Sequence, residues 1–301
     1  MQRLGPEAGH RLIRWAALAA ASWVTVLAPA AAAPPVVDDT GHTVTLAQPA
    51  RRIVALAPGA TALLFAAGAG DRVVATIEFA DEPAAARRVP RIGDVQAIDY
   101  ERLIALHPDV VVVTDAITSE FITGRVRALG LPVYTTRYTR LADIAPSVAR
   151  LGRLAATEAI ADPEARRLEA RLAALRATYA GRAPIDVLYE VWNPPVYTIG
   201  GAHIVTDALA VCGARNVFAD AQVAAPAVSV EAVIARDPAV IVASGPRAQA
   251  TAWLAEWRRF PRLAATAANR LYVFDDPRLD RMGPSAIEAT AGLCRILDAA
   301  R

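Results

Sequence analysis

The sequence has no lysine, only two cysteines and only four histidines. All 32 basic residues are arginine and they nearly cancel 30 acidic ones, so nucleic acid would find no broad positive footprint. The histidines, His10, His42, His107 and His203, are scattered, which supplies a histidine-rich zinc or manganese site poorly. No G-x-S-x-G, H-E-x-x-H or phosphate-loop pattern occurs, and Gly68-Ala69-Gly70 is only a fragment of a dinucleotide fingerprint. What is abundant is apolar. With 54% hydrophobic and 21% charged residues in 301, the chain is no disordered tail, and its length favours two lobes or one large sheet domain.

Arg3, Arg11 and Arg14 precede an apolar run from Trp15 to Leu27, which ends in Pro29 and Ala30 to Ala33. Short run, basic flank and an A-x-A site at Ala31 and Ala33 predict a secretory signal peptide over residues 1–33, with a single membrane anchor as the rival reading. Its removal takes away three Arg and one Glu, leaving 29 residues of each sign, and an electrically bland, soluble periplasmic protein is expected. Export puts Cys212 and Cys294 in an oxidising compartment, where one bridge would stabilise the fold by about 4 to 5 kcal/mol in the chain-entropy model. The alternatives are two buried thiols or a redox pair, though the spacing is unlike C-x-x-C.

Alternating runs around Thr40-Gly41 predict a small hairpin over Asp38 to Leu46. Strands at Arg52–Ala57, Arg72–Ile77, Asp109–Thr114 and Pro132–Thr136, with helical stretches between, predict a parallel α/β lobe. Leu168, Leu172, Leu175 and Tyr179 make one helical stripe, with Asp162 as N-cap and Pro163 at the first helical position. Arg166, Arg167, Glu169, Arg171 and Arg176 read as the solvated side of that helix. Strands at Asp186–Val191, Ala239–Ala243 and Arg270–Phe274 predict a second lobe.

An internal repeat aligns IDYERLIALHPDVVVV (98–113) with VSVEAVIARDPAVIVA (228–243) without a gap. In each copy a short helix runs through a proline turn into a buried strand. The apolar matches, Ile104 with Ile234 among them, are explained by the need to cover a sheet. Glu101 and Glu231 are not, since a carboxylate near a helix N-terminus is favoured by only about 0.3 to 1 kcal/mol. They predict two equivalent negative points offered to a partner with matching positive ones.

In an open α/β sheet, ligands bind at the carboxyl ends of the strands. There the sequence places Pro58–Thr61, Glu78–Pro83, Thr114–Ile117, Trp192–Tyr197 and Asp275–Met282. Phe79, Trp192 and Tyr197 are expected to form an apolar surface, with Asp276, Asp280 and Arg281 as polar contacts. A periplasmic enzyme using Asp276 and Asp280 is the competing class, and a signalling module that reports ligand without transport is a third. His107 is read as structural. His203, opening a helix after Gly200-Gly201, is either a metal or haem ligand or a solvated or capping residue.

The segments RRIVALAPGATALLFAAGAGDRVVA, PRIGDVQAIDYERLIALHPDVVVV, NPPVYTIGGAHIVTDALAVCGARNVFAD and VSVEAVIARDPAVIV resemble the periplasmic substrate-binding proteins of cobalamin, haem and iron-siderophore ABC importers, most closely the corrinoid (vitamin B12) binders. The resemblance covers nearly all the mature chain. It implies two Rossmann-like α/β lobes with central, mostly parallel sheets, joined by one long helix matching residues 162–180. The divisions are 34–140 for the first lobe, 141–182 for the helical linker and 183–301 for the second. It implies a corrinoid held in the cleft between the lobes, with haem or a ferric siderophore as alternatives, and no cofactor, metal or enzymatic activity of its own. The expected ligand contacts are Phe79, Val95, Trp192, Tyr197, Asp276 and Arg281, of which the resemblance carries over Tyr197 and Arg281 as matching cleft positions. Val95, Thr114 and Ala225 stand where corrinoid binders carry cleft tryptophans, and Tyr197 or His203 would have to reach a haem iron. Glu101 and Glu231 match glutamates that dock onto arginines of a dimeric inner-membrane permease with its ATPase subunits. The protein itself is expected to be a monomer that binds no nucleic acid.

Overall fold

The computed structural model describes residues 34–115 and 117–301, and the expected signal peptide lies outside them. The chain enters through a hairpin of β1 (Val36–Val37) and β2 (Thr43–Val44). Asp38 closes it by accepting from the backbone N–H groups of Thr40 and His42, both at 2.9 Å, while Gly41 takes φ +92°.

The first sheet has the order β4-β3-β5-β6, all parallel, with β3 (Ile53–Ala55), β4 (Val73–Ala75), β5 (Val110–Thr114) and β6 (Val133–Thr136). Every residue of β5 is buried, because crossover helices cover both faces of a parallel sheet and an unbroken apolar run is what that demands. The crossovers include α1 (Pro58–Ala66), with Pro58 at its start, α2 (Tyr100–Ala105), capped by Asp99, and α3 (Glu120–Ala128), capped by Ser119.

Two helices follow, α4 (Ile144–Ala155) and α5 (Glu158–Tyr179). The expected Asp162 N-cap is not one. The helix begins at Glu158 and carries Pro163 inside it, because its first turn is packed onto α4: a β-carbon on Gly152 would stand 2.3 Å from that of Ala161. Tertiary contact here outweighs the local cap signal. The stripe of Leu168, Leu172 and Leu175 is buried as expected. Arg171 departs from the solvated-face reading, since its guanidinium grips Glu288 of the last helix at 2.8 and 3.0 Å.

The second sheet has β7 (Ile185–Trp192), β8 (Val196–Thr198), β9 (Ala214–Asn216), β10 (Ala227–Val228), β11 (Val240–Ser244) and β12 (Leu271–Phe274). β7, β11 and β12 run parallel, and one edge of β7 is shared between parallel β9 and antiparallel β8, with β10 outside β8. Helices α6 (Ile204–Val211), α7 (Val230–Arg236), α8 (Arg247–Trp257), α9 (Ala264–Ala267), α10 (Pro277–Asp280) and α11 (Ala286–Ala299) complete the lobe. Cys212, just after α6, is disulfide-bonded to Cys294 of α11. One apolar cluster runs from Ile53 and Val110 through Leu168 and Leu172 of α5 to Val187 and Ile287. The long helix is thus part of a core continuous with both lobes.

Candidate functional site

Loops leaving the carboxyl ends of parallel strands can gather side chains without breaking a ladder. After β4 the chain lifts Phe79, 71% exposed, at φ +64°. An aromatic residue in the left-handed region must be held by its neighbours. Glu78 N–H donates to the Gly93 carbonyl at 2.9 Å on one side. On the other, the Arg91 guanidinium donates to the Ala80 carbonyl at 2.9 Å and to Asp81 at 3.3 Å. Val95 is exposed at the tip of a turn closed by Asp94, whose carboxylate accepts from the N–H groups of Gln96 and Ala97 at 2.8 and 2.9 Å. Those bonds hold the Asp94 carboxyl below its usual range.

In the second lobe the register sets Trp192 of β7 opposite Tyr197 of β8, so the two aromatics are cross-strand neighbours. Trp192 is 49% exposed, leans on Trp253 of α8 with ring centroids 5.9 Å apart, and donates its indole N–H to the Pro194 carbonyl at 3.2 Å. The Asn193-Pro194-Pro195 turn between the strands contains two cis peptide bonds. Two residues earlier on β7, Glu190 is fully buried. One carboxyl oxygen accepts from the Trp257 indole N–H at 3.0 Å, and among the described residues the other has no hydrogen-bond partner. Burial pushes this carboxyl up to about 7.

The polar residues divide. Asp276 caps α10, accepting from the Arg278 N–H at 3.1 Å, and its carboxylate is clamped by the Arg278 guanidinium, which holds it below its usual range. It therefore serves the loop's own structure. Asp280 accepts from the Tyr189 hydroxyl at 3.1 Å and from the Ser244 hydroxyl at 2.6 Å. The residue is accessible to solvent, yet the protein crowded round its carboxyl pushes it above the usual range. The acids considered for acid-base chemistry are thus both engaged in hydrogen bonds. Arg281 reaches from the second lobe toward Asp81 of the first, at 3.9 Å.

The lobes also touch at Gly59, where a β-carbon would come within 2.9 Å of the Arg281 and 2.8 Å of the Met282 carbonyl oxygens. This contact and the Asp81–Arg281 pair bring the strand ends of the two sheets face to face. Asp81 lies in the Glu78–Pro83 loop expected at a strand end, but the sequence reading does not single it out among the polar contacts. Val223, 64% exposed in the loop before β10, escapes that reading too. Of the positions expected to carry aromatics in corrinoid binders, Val95 and Ala225 are exposed, whereas Thr114 is buried with its hydroxyl bonded to Thr136 at 2.8 Å.

His203 is the N-cap of α6: its Nδ1 accepts from the Val205 N–H at 3.2 Å, and burial lowers its basicity to about 4. Of its two readings the structure supports the capping one. Among the described residues no group of three or more His, Cys, Asp or Glu side chains could hold a metal ion. Glu101 and Glu231 are exposed at equivalent places on α2 and α7, and among the described residues neither meets a basic side chain. The Glu231 carboxyl is held below its usual range by its own backbone N–H and the Ser229 hydroxyl.

Residues 53–277 match a family model described as periplasmic binding protein. The vitamin B12-binding protein of Vibrio cholerae serotype O1 is 31% identical over 254 residues, which covers 84% of this chain and 91% of that one. The crystal structure of the periplasmic vitamin B12 binding protein BtuF of Vibrio cholerae superposes with a TM-score of 0.78 at 31% identity, covering 84% of this chain and 98% of that one. The periplasmic heme-binding protein RhuT from Roseiflexus sp. RS-1 shares the fold at a TM-score of 0.72 and 24% identity, covering 83% and 99%. With the family model matching residues 53–277 and a relative 31% identical over most of both chains, the chain belongs to the periplasmic binding protein family and is a binding protein, not an enzyme.

Proposed function

We propose that the protein is the periplasmic solute-binding component of an ABC importer, which holds a corrinoid between its lobes and delivers it to a membrane permease dimer with its ATPase subunits. The observation that supports this reading is the solvent exposure of four apolar side chains, Phe79 and Val95 on one lobe and Trp192 and Tyr197 on the other, in a chain 31% identical to a vitamin B12-binding protein over most of its length. Large apolar side chains left in water at strand ends make a flat, ring-shaped ligand a favourable cover. Arg281, near Asp81 but not in tight contact with it, supplies a polar contact at the junction. Residues 1–33 direct export, and Glu101 and Glu231 meet basic groups of the permease.

The test is absorbance and calorimetric titration of the purified mature protein with cyanocobalamin, haemin and ferric siderophores. One equivalent of cyanocobalamin retained without turnover is expected. Binding of haemin alone, which the likeness in fold to a heme-binding protein makes the chief rival, would overturn the corrinoid assignment.

A further inference from the structure

The two copies of the repeat keep more than their glutamates in register. Leu103 of α2 and Val233 of α7 are buried, as the cover of a sheet requires. Their neighbours Ile104 and Ile234 are not: they are 46% and 42% exposed, so the sheet-cover explanation of this match is wrong. Each isoleucine lies three residues after its glutamate and so shares a helix face with it. The frames agree as well. Asp99 caps α2 by accepting from the Arg102 N–H at 2.9 Å, and Ser229 caps α7 by accepting from the Ala232 N–H at 3.2 Å. Both helices leave through a left-handed residue, His107 at φ +45° and Asp237 at φ +42°. One exposed aliphatic residue is ordinary. Two at equivalent positions of separate lobes, each beside an exposed carboxylate in the same backbone frame, form a pattern that neither lobe's own packing explains.

We propose that Ile104 and Ile234 are paired apolar anchors for the importer's two membrane subunits, each entering an apolar recess next to the basic group that meets Glu101 or Glu231. This inference rests on the docking reading above. The complementary partner carries two equivalent sites, each a cationic side chain flanked by apolar surface. The carboxylates steer the approach and are screened by salt, whereas the isoleucines hold the complex and are not.

The test is binding of the mature protein to the cognate permease–ATPase complex in lipid nanodiscs at low and high salt. Replacing both anchors, Ile104→Ser with Ile234→Ser, is expected to weaken binding at least about tenfold at both salt levels, the scale set by one buried aliphatic side chain. Each single change should weaken binding by a smaller factor than the pair, and the pair Ile104→Leu with Ile234→Leu should restore affinity, which separates a lost anchor from a folding defect. Glu101→Gln with Glu231→Gln should weaken binding and flatten its salt dependence. If the serine pair binds like the parent while the glutamine pair weakens, the anchors are refuted and the docking reading stands. If both pairs bind like the parent, both fall.

Discussion

Glu190 lets one side chain be read as a slope of stability against pH. It is fully buried, its carboxyl accepts from the neutral Trp257 indole N–H, and burial moves it from 4.5 to about 7. Between those values the folded protein holds the proton and the unfolded chain has released it. Stability from the neutral acid is therefore full below pH 4.5 and is lost as pH rises through 7, by at most about 3 kcal/mol. His203 has the opposite sense. Burial lowers it from 6.5 to about 4, so its contribution is full above pH 6.5 and is lost as pH falls through 4. From pH 4.5 to 6.5 the two oppose each other in the parent protein, and single variants should expose each. Glu190→Gln mimics the neutral acid and should gain about 3 kcal/mol over the parent between pH 4.5 and 8. His203→Asn, which keeps a capping side chain, should gain a similar amount between pH 7 and 4. Urea denaturation followed by tryptophan fluorescence across this range measures both. Parallel stability curves for Glu190→Gln and the parent would refute the claim that the carboxyl is buried and neutral.

Two further outcomes follow from close contacts. Gly59→Ala would set a methyl group 2.2 Å from the Tyr138 hydroxyl and under 3 Å from two carbonyls of the other lobe. It should cost about 1 to 3 kcal/mol and weaken any ligand gripped by both lobes. An unchanged denaturation midpoint would show that the lobes do not meet there. Reducing Cys212–Cys294, which lie 82 residues apart, should lower stability by about 4 to 5 kcal/mol, and a change below about 1 kcal/mol in denaturant unfolding would contradict that estimate.

Much of the fold was legible in the sequence because its signals are local. The unbroken valines of Val110–Val113 must be buried on both faces, so they announce a parallel strand, and the leucine stripe of α5 announces a long helix with one apolar side. The repeat fixed the places of Glu101 and Glu231, since identical spacing in two copies needs no coordinates to be seen. Strands β8, β9 and β10, of two or three residues each, left no periodic trace, because so short a strand is made by its partners and not by its own pattern. Only tertiary packing decided where α5 begins, since the contact of Ala161 with Gly152 carries the helix past Pro163 toward its N-terminus. It also decided what engages each acid. Asp276 is claimed by Arg278 two residues away, while Asp280 of α10 is met by Tyr189 of β7 and Ser244 of β11, a difference composition cannot reveal. The same holds for Ile104 and Ile234. Sequence gives an apolar residue its wish to leave water, but the position of the sheet determines whether the protein or a partner must satisfy it.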